Sequence, residues 1–276
     1  MYLSYTLKLN DLSDNFIHLI TYRFNNDYKF KFNFVDFYLK FNSNTNYFKI
    51  DNVKKFSSLV VNNPVSNTND PIIYIYNTHS NEEYSYNKNA VYNIIPTVKT
   101  ASYILEDELN KLGINSIIEE ENTIDILNNR GLLYKDSYKI SRELLENKKL
   151  EFNSLNYFID VHRDSVKKSI TTTIINDKSY AKVMLVLGLE NKSYLENKKV
   201  ITEINDYLNL NYPGLSRGIY EKKGSGVNGV YNQDFSRNTM LIEIGGVDNT
   251  LEEVSNSVKA ISNALYNYIN NHKTTN

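Results

Sequence analysis

The sequence predicts an α/β fold: a central twisted, mostly parallel sheet with helices on both faces, carried behind an amino-terminal extension. Three features predict it. Short runs of apolar and aromatic residues, IIYIY (72–76), LNYFIDV (155–161) and MLIEI (240–244), have the length and continuity of strands buried on both faces. Stretches with helical spacing lie between such runs, as in a chain that alternates strands with helices. The runs break into polar residues that include two of the four histidines, at the carboxyl ends of strands where open α/β sheets place their sites.

Taken in order, residues 1–68 read as an amino-terminal extension or small accessory region. Within it, 24–44 alternates Lys, Asp and Asn with Phe and Tyr, which fits strands with one solvated face or an aromatic helix. His18 lies in NFIHLITY and reads as a packed or surface histidine. The stretch VNNPVSNTNDP (61–71) reads as a linker and sets the boundary of a catalytic domain at 69–276. After the 72–77 strand comes a polar loop to Ile95. Pro96 and Thr97 then open a helix whose face is Val98, Ala101, Leu105, Leu109 and Leu112, stopped by Gly113. A second strand is expected at 114–118 and a helix at 135–150. The strand 155–161 runs into His162-Arg163-Asp164. A strand follows at 180–188 and a helix at 195–208. Residues 216–238 are glycine-rich and polar, expected as strands around a long loop. The last strand, 240–244, closes on Gly245 and Gly246. Thr250 and Glu253 form a T-x-x-E capping box for a final helix striped by Leu251, Val254, Val258, Ile261, Leu265 and Ile269. His272 falls in the polar tail.

Composition narrows the chemistry. The chain has no cysteine, which removes disulfides, thiolate zinc sites and a cysteine nucleophile together. A net charge of −1 provides no basic field for nucleic acid. The 23 tyrosines read as core and surface filling rather than as stacking platforms for sugars. No 18-residue apolar run is present, and YLSYTLKLND after Met1 lacks the features of a signal peptide. The expectation is either a cytoplasmic protein or one whose signal or anchor is absent from this sequence. No G-x-S-x-G elbow supports a serine hydrolase, and GSGVNG (224–229) lacks the strand–helix setting of a dinucleotide loop. A glycosidase would need two carboxylates across a cleft and would leave the strand-end histidines without a role.

Four residues carry the strongest signal. His79 and Glu82 form an H-x-x-E just past the first strand, His162 ends a later strand, and Glu243 lies inside the apolar run MLIEIGG. A carboxylate in a buried strand is costly unless paired or bound. It reads as a base beside a metal, with a salt bridge or backbone amide contact as the alternative. Ligands of the His/His/Glu kind leave the fourth zinc position to water, whose pKa falls toward ~7 there. A nearby carboxylate can then move that water's proton to a leaving amine.

The blocks IYIYNTHSNEEY, DVHRDS and GVYNQDFSRNTMLIEIGGVDNTLEEV resemble the stage II sporulation protein P family, cell-wall hydrolases of endospore-forming bacteria similar in fold to zinc N-acetylmuramoyl-L-alanine amidases and, more remotely, to zinc carboxypeptidases. The resemblance spans roughly 70–270. It implies Zn2+ held by His79, Glu82 and His162, with Glu83 as the alternative to Glu82, and Glu243 as the catalytic carboxylate. It implies cleavage of the lactyl–L-alanine amide of peptidoglycan, and it allows endopeptidase action on cross-links. A zinc peptidase confined to stem peptides and a non-catalytic wall-binding module are the competing readings. Arg163, Asn232 and Gln233 lie in the matched blocks as candidate substrate-binding residues, with bracing of the ligands as the other reading. Two departures are visible: Asn77 stands where members often have the first His of His-Thr-His, and no stretch of this sequence reads as the amino-terminal membrane anchor that the resemblance implies. The family further implies an extracytoplasmic location at the wall or septum, with a partner lytic enzyme and a membrane scaffold of the engulfment machinery.

Overall fold

The computed structural model describes residues 70–85 and 95–272. The amino-terminal extension, His18, the 24–44 segment and nearly all of the linker lie outside the described residues. Six strands form one sheet in the order β2 (Ser116–Ile118), β1 (Ile73–Tyr76), β3 (Tyr157–Asp164), β8 (Thr239–Gly246), β6 (Val183–Gly188), β7 (Ser216–Lys222). The first four strands in that order run parallel; β6 and β7 are parallel to each other, but β6 meets β8 antiparallel. The sheet is therefore mostly parallel, as its apolar runs predict.

Period-two alternation sorts each strand between two faces. Ile73, Ile75, Ile159, Val161, Leu185, Ile242 and Ile244 face one layer, packed with α1 (Val98–Lys111), α5 (Tyr194–Asn211) and α6 (Leu251–Asn271). Tyr74, Tyr76 and Phe158 face the other and pack on Leu145 of α3 (Ser137–Glu151). Helices thus cover both faces. The expected stripe of α6 is wholly buried, each large side chain contributing about 1.5–3 kcal/mol relative to exposure. Its amino terminus carries the predicted capping box: Thr250 Oγ1 accepts the Glu253 N–H and Glu253 Oε2 accepts the Thr250 N–H.

Other boundaries moved for physical reasons. The expected 180–188 strand is two strands: β5 (Lys178–Ala181) pairs antiparallel with β4 (Thr172–Ile175) as a separate two-stranded sheet, and β6 begins after Lys182. A short helix, α4 (Lys168–Thr171), precedes that hairpin. An unforeseen helix, α2 (Thr123–Arg130), is capped by Asn122, whose Oδ1 accepts the Ile124 and Asp125 N–H groups, and is stopped by Gly131 in the left-handed region. Only one strand, β7, forms within 216–238; the rest is loop.

One half-buried acid off the site makes a pH prediction. Burial, with Glu120 and Asp107 adding to it, pushes the Glu106 carboxyl up to about 8 from its ordinary 4.5. Between those values the folded chain holds a proton that the unfolded chain has released, so stability is fully present below the lower value and is lost as pH rises through the upper one. Glu106→Gln mimics the neutral acid. It is expected to raise the urea midpoint at pH 8 and leave it unchanged at pH 4; equal gains at both would contradict the assignment.

Candidate metal centre and active site

The chain leaves β1 through a turn at 78–81, closed by the Glu82 N–H donating to the His79 carbonyl at 3.1 Å. That turn swings His79 onto the α3 face of the sheet rim. Its ring stacks on Tyr134 at 4.4 Å, meets the edge of Tyr138 at 5.7 Å and lies T-shaped against His162 at 5.3 Å. Burial and the neighbouring His162 charge push the His79 imidazole down to about 4, so it is neutral and a competent donor.

His162 stands near the carboxyl end of β3, in register with Glu243 of β8. Beyond this pair β8 carries one extra residue, since His162 faces Glu243 but Asp164 faces Gly246. Gly245, at φ +69, lets the backbone take that bulge; a Cβ there would lie 2.7 Å from Asn249 Oδ1. At the irregular step the Arg163 N–H is given to Glu82 Oε2 at 3.1 Å, and the same oxygen lies 3.6 Å from His162 Nδ1. Burial alone would raise the Glu82 carboxyl; His162, the Arg163 amide and His79 outweigh it and hold it low.

 

The imidazolium of His162 is pushed down by burial but held well above its usual range by Asp160 and Glu82. Glu243 moves the opposite way to Glu82: burial raises its carboxyl, Glu82 adds to the rise, and His162 only partly counters it. A carboxylate so raised is suited to accept a proton and give it back.

The sequence-predicted quartet therefore shares one rim. His79 touches His162, His162 approaches Glu82, and Glu243 is the cross-strand neighbour of His162. Glu83 is exposed; its backbone forms an isolated bridge with Thr97, and its carbonyl accepts Arg163 Nε–H at 2.8 Å. As the side chains stand, no three His, Asp or Glu among the described residues converge closely enough to cage a metal ion. Their unspent atoms nevertheless fit one. His79 Nδ1 and Glu243 Oε2 are buried without a hydrogen-bond partner, His162 Nδ1 faces Glu82 Oε2 at 3.6 Å, and two imidazoles with the Glu82 carboxylate are a zinc-type donor set. Buried polar atoms are normally satisfied, so unspent atoms on His79 and Glu243 beside that pair point to an absent group.

The remaining candidates are committed to the protein. Arg163 donates to the carbonyls of Glu83 and Asp164. Asn232 Nδ2 donates to the Tyr138 carbonyl and to Ser141 Oγ. Gln233 is buried, with Oε1 accepting the Gly188 N–H and Nε2 donating to the Val186 carbonyl. Neither Asn232 nor Gln233 makes any of these bonds to His79, Glu82 or His162.

Sequence reasoning missed the wall they brace. Tyr138 meets Tyr231 edge-on at 5.5 Å, and Lys222 Nζ lies 5.9 Å from the Tyr231 ring centre. Tyr231 and Asn232 both sit in the left-handed region, at φ 56 and 54, a costly backbone for a tyrosine. Asn228 Oδ1 pins it by accepting the Val230 and Tyr231 N–H groups. The Asn-rich string GVNGVYNQD carried that signal, since asparagine both tolerates this region and caps such turns.

The family described as Stage II sporulation protein P (SpoIIP) matches residues 37–266, beginning inside the segment read as an amino-terminal extension. The chain is 35% identical over 209 residues to the Stage II sporulation protein P of Bacillus subtilis (strain 168), covering 73% of this chain and 52% of that protein. It thus spans about half the length of that curated relative. Among solved structures it is similar to the CwlD amidase from Clostridioides difficile, solved in complex with the GerS lipoprotein, at 14% identity and a TM-score of 0.47 over 75% of this chain and 100% of that one. It is similar as well to a metallo-carboxypeptidase from Burkholderia cenocepacia, at 11% identity and a TM-score of 0.43 over 76% of this chain and 60% of that one.

Proposed function

The chain belongs to the stage II sporulation protein P family, and from that premise we propose that it is a peptidoglycan hydrolase, a zinc-dependent N-acetylmuramoyl-L-alanine amidase acting in sporulation. The observation that carries the reading is the meeting of His79, His162 and Glu82 at one sheet rim beside the raised carboxyl of Glu243.

In this reading His79, Glu82 and His162 hold the metal. Zinc, when bound, would supply Lewis acidity that lowers the pKa of water and polarises the lactyl carbonyl. The protein's own part is positioning and proton movement. Glu243 removes a proton from the attacking water as its oxygen adds to the carbonyl carbon. It then delivers that proton to the alanine nitrogen as the C–N bond breaks, leaving a lactyl carboxylate and a free amine. Tyr134 is 60% exposed beside His79, and so offers a flat apolar surface at the mouth on which a sugar or stem can lie. Arg163 is the cation nearest the ligands by sequence; its guanidinium is placed to meet stem carboxylates if it exchanges its carbonyl partners for them.

The family setting supports an extracytoplasmic place of action, at the wall or septum, beside a lytic partner and a membrane scaffold. Among the described residues no helix is long and apolar enough to cross a membrane. Digestion of purified peptidoglycan followed by mass spectrometry tests the activity. Free stems beginning in L-alanine, with matching unsubstituted glycan, are expected, and a chelator should stop their release. Products that all keep the lactyl–peptide bond would reject amidase action; cleavage elsewhere in the stem would then favour a stem peptidase.

A further inference from the structure

Asp160 is fully buried, two residues before His162 on β3, so both side chains share the α3 face of the strand. We infer that Asp160 is a positioning residue that orients both histidines of the site through one carboxylate. Its Oδ1 lies 3.0 Å from His162 Nε2 and accepts the Thr78 N–H at 2.9 Å; its Oδ2 accepts the Thr78 hydroxyl at 2.6 Å. Thr78 is the residue immediately before His79, so the same carboxylate that backs one imidazole anchors the turn bearing the other.

Charge balance requires some such role. A buried carboxylate without cationic or hydrogen-bonding partners is strongly unfavourable. Here the donors come in a chain. The Thr78 hydroxyl has one hydrogen, and given to Asp160 it leaves Ser141 Oγ, 2.8 Å away, to donate into Thr78 Oγ1. Asn232 Nδ2 in turn donates to Ser141 Oγ. Each bond points its dipole at Asp160, an arrangement whose members strengthen one another. It ties the left-handed turn at Asn232 to both histidines.

The approach of His162 Nε2 to Asp160 is short but off the ring's N–H axis, which is why that nitrogen still lacks a well-directed partner. Bonds around reactive groups are often misaligned before the working complex forms. With Nε2–H turned to Asp160, Nδ1 is the nitrogen left facing Glu82 Oε2. Carboxylates behind a ligating imidazole fix its tautomer and raise its basicity. The sequence signal was the D-x-H of FIDVHRD, an acid one strand-repeat behind a histidine.

The affinity arm of the test rests on the metal reading proposed above; the tautomer arm does not. In zinc-free wild-type protein, long-range proton–nitrogen NMR of the four histidines should find His162 Nε2 bearing a hydrogen with a strongly deshielded, slowly exchanging signal. A bare Nε2, or an Nε2 hydrogen neither deshielded nor slow to exchange, overturns the inference, and this measurement needs no variant to fold. Asp160→Asn keeps the shape and an acceptor for the Thr78 N–H but removes the charge. It should lose the deshielding and weaken zinc binding, in competition with a chromophoric chelator, by ~10–100-fold. Wild-type affinity together with an unchanged His162 signal in the folded variant overturns the inference. Should the wild-type protein take up no zinc, the metal reading fails and the tautomer spectra alone decide the role of Asp160.

Discussion

Glu243→Gln is expected to reduce peptidoglycan hydrolysis by ~10²–10⁴-fold while leaving metal content and thermal stability close to those of the wild type. The substitution preserves volume and burial in β8 and removes the proton-accepting charge. The carboxyl is already pushed up by burial, which outweighs the attraction of His162 and Lys222, so neutralising it costs the fold little. A steady assay on purified sacculi, with metal analysis of the same preparation, checks both halves. Retained hydrolysis would take the proton-transfer role away from Glu243. Loss of metal alongside activity would make it a ligand instead.

His79→Ala should fail in the complementary way. The ring is held between Tyr134 and Tyr138 against His162, and its buried Nδ1 has no partner to lose. Removing it takes a donor from the centre and vacates an aromatic slot. Zinc affinity is expected to fall by more than the ~100-fold typical of residues that only orient a ligand, with hydrolysis falling in parallel. Excess zinc should restore part of the activity of this variant and none of that of Glu243→Gln. Full zinc occupancy in His79→Ala at wild-type affinity would remove His79 from the ligand set.

Why the quartet could be read from sequence is a matter of periodicity. Strands buried on both faces must be apolar throughout, so the polar residues that end or interrupt IYIY, YFIDV and MLIEI stand out, and parallel strands bring such interruptions to one rim. The pairing of His162 with Glu243 is that rule at work. The α6 stripe and its Thr250–Glu253 cap were legible because helix spacing and capping are local. Strand direction is not local: β6 and β8 lie antiparallel because of how the chain returns through α5, the 223–238 loop and β7. The end of β5 was hidden inside what read as one strand at 180–188, since the break at Lys182 is a change of pairing partner rather than of composition. The link from Asp160 to Thr78 and Ser141 was invisible for a related reason. Each is an ordinary polar residue until the fold places them within hydrogen-bond reach across 60 to 80 positions of sequence.

The central claim is that two imidazoles and the Glu82 carboxylate, drawn from the turn after β1 and from β3, bind one divalent cation beside Glu243. X-ray diffraction from zinc-soaked crystals at the zinc absorption edge tests it most directly. The account predicts one strong anomalous peak at about 2.0–2.2 Å from a nitrogen of His79, a nitrogen of His162 and an oxygen of Glu82. A fully soaked crystal with no peak between those side chains, or with zinc bound only elsewhere, would contradict it.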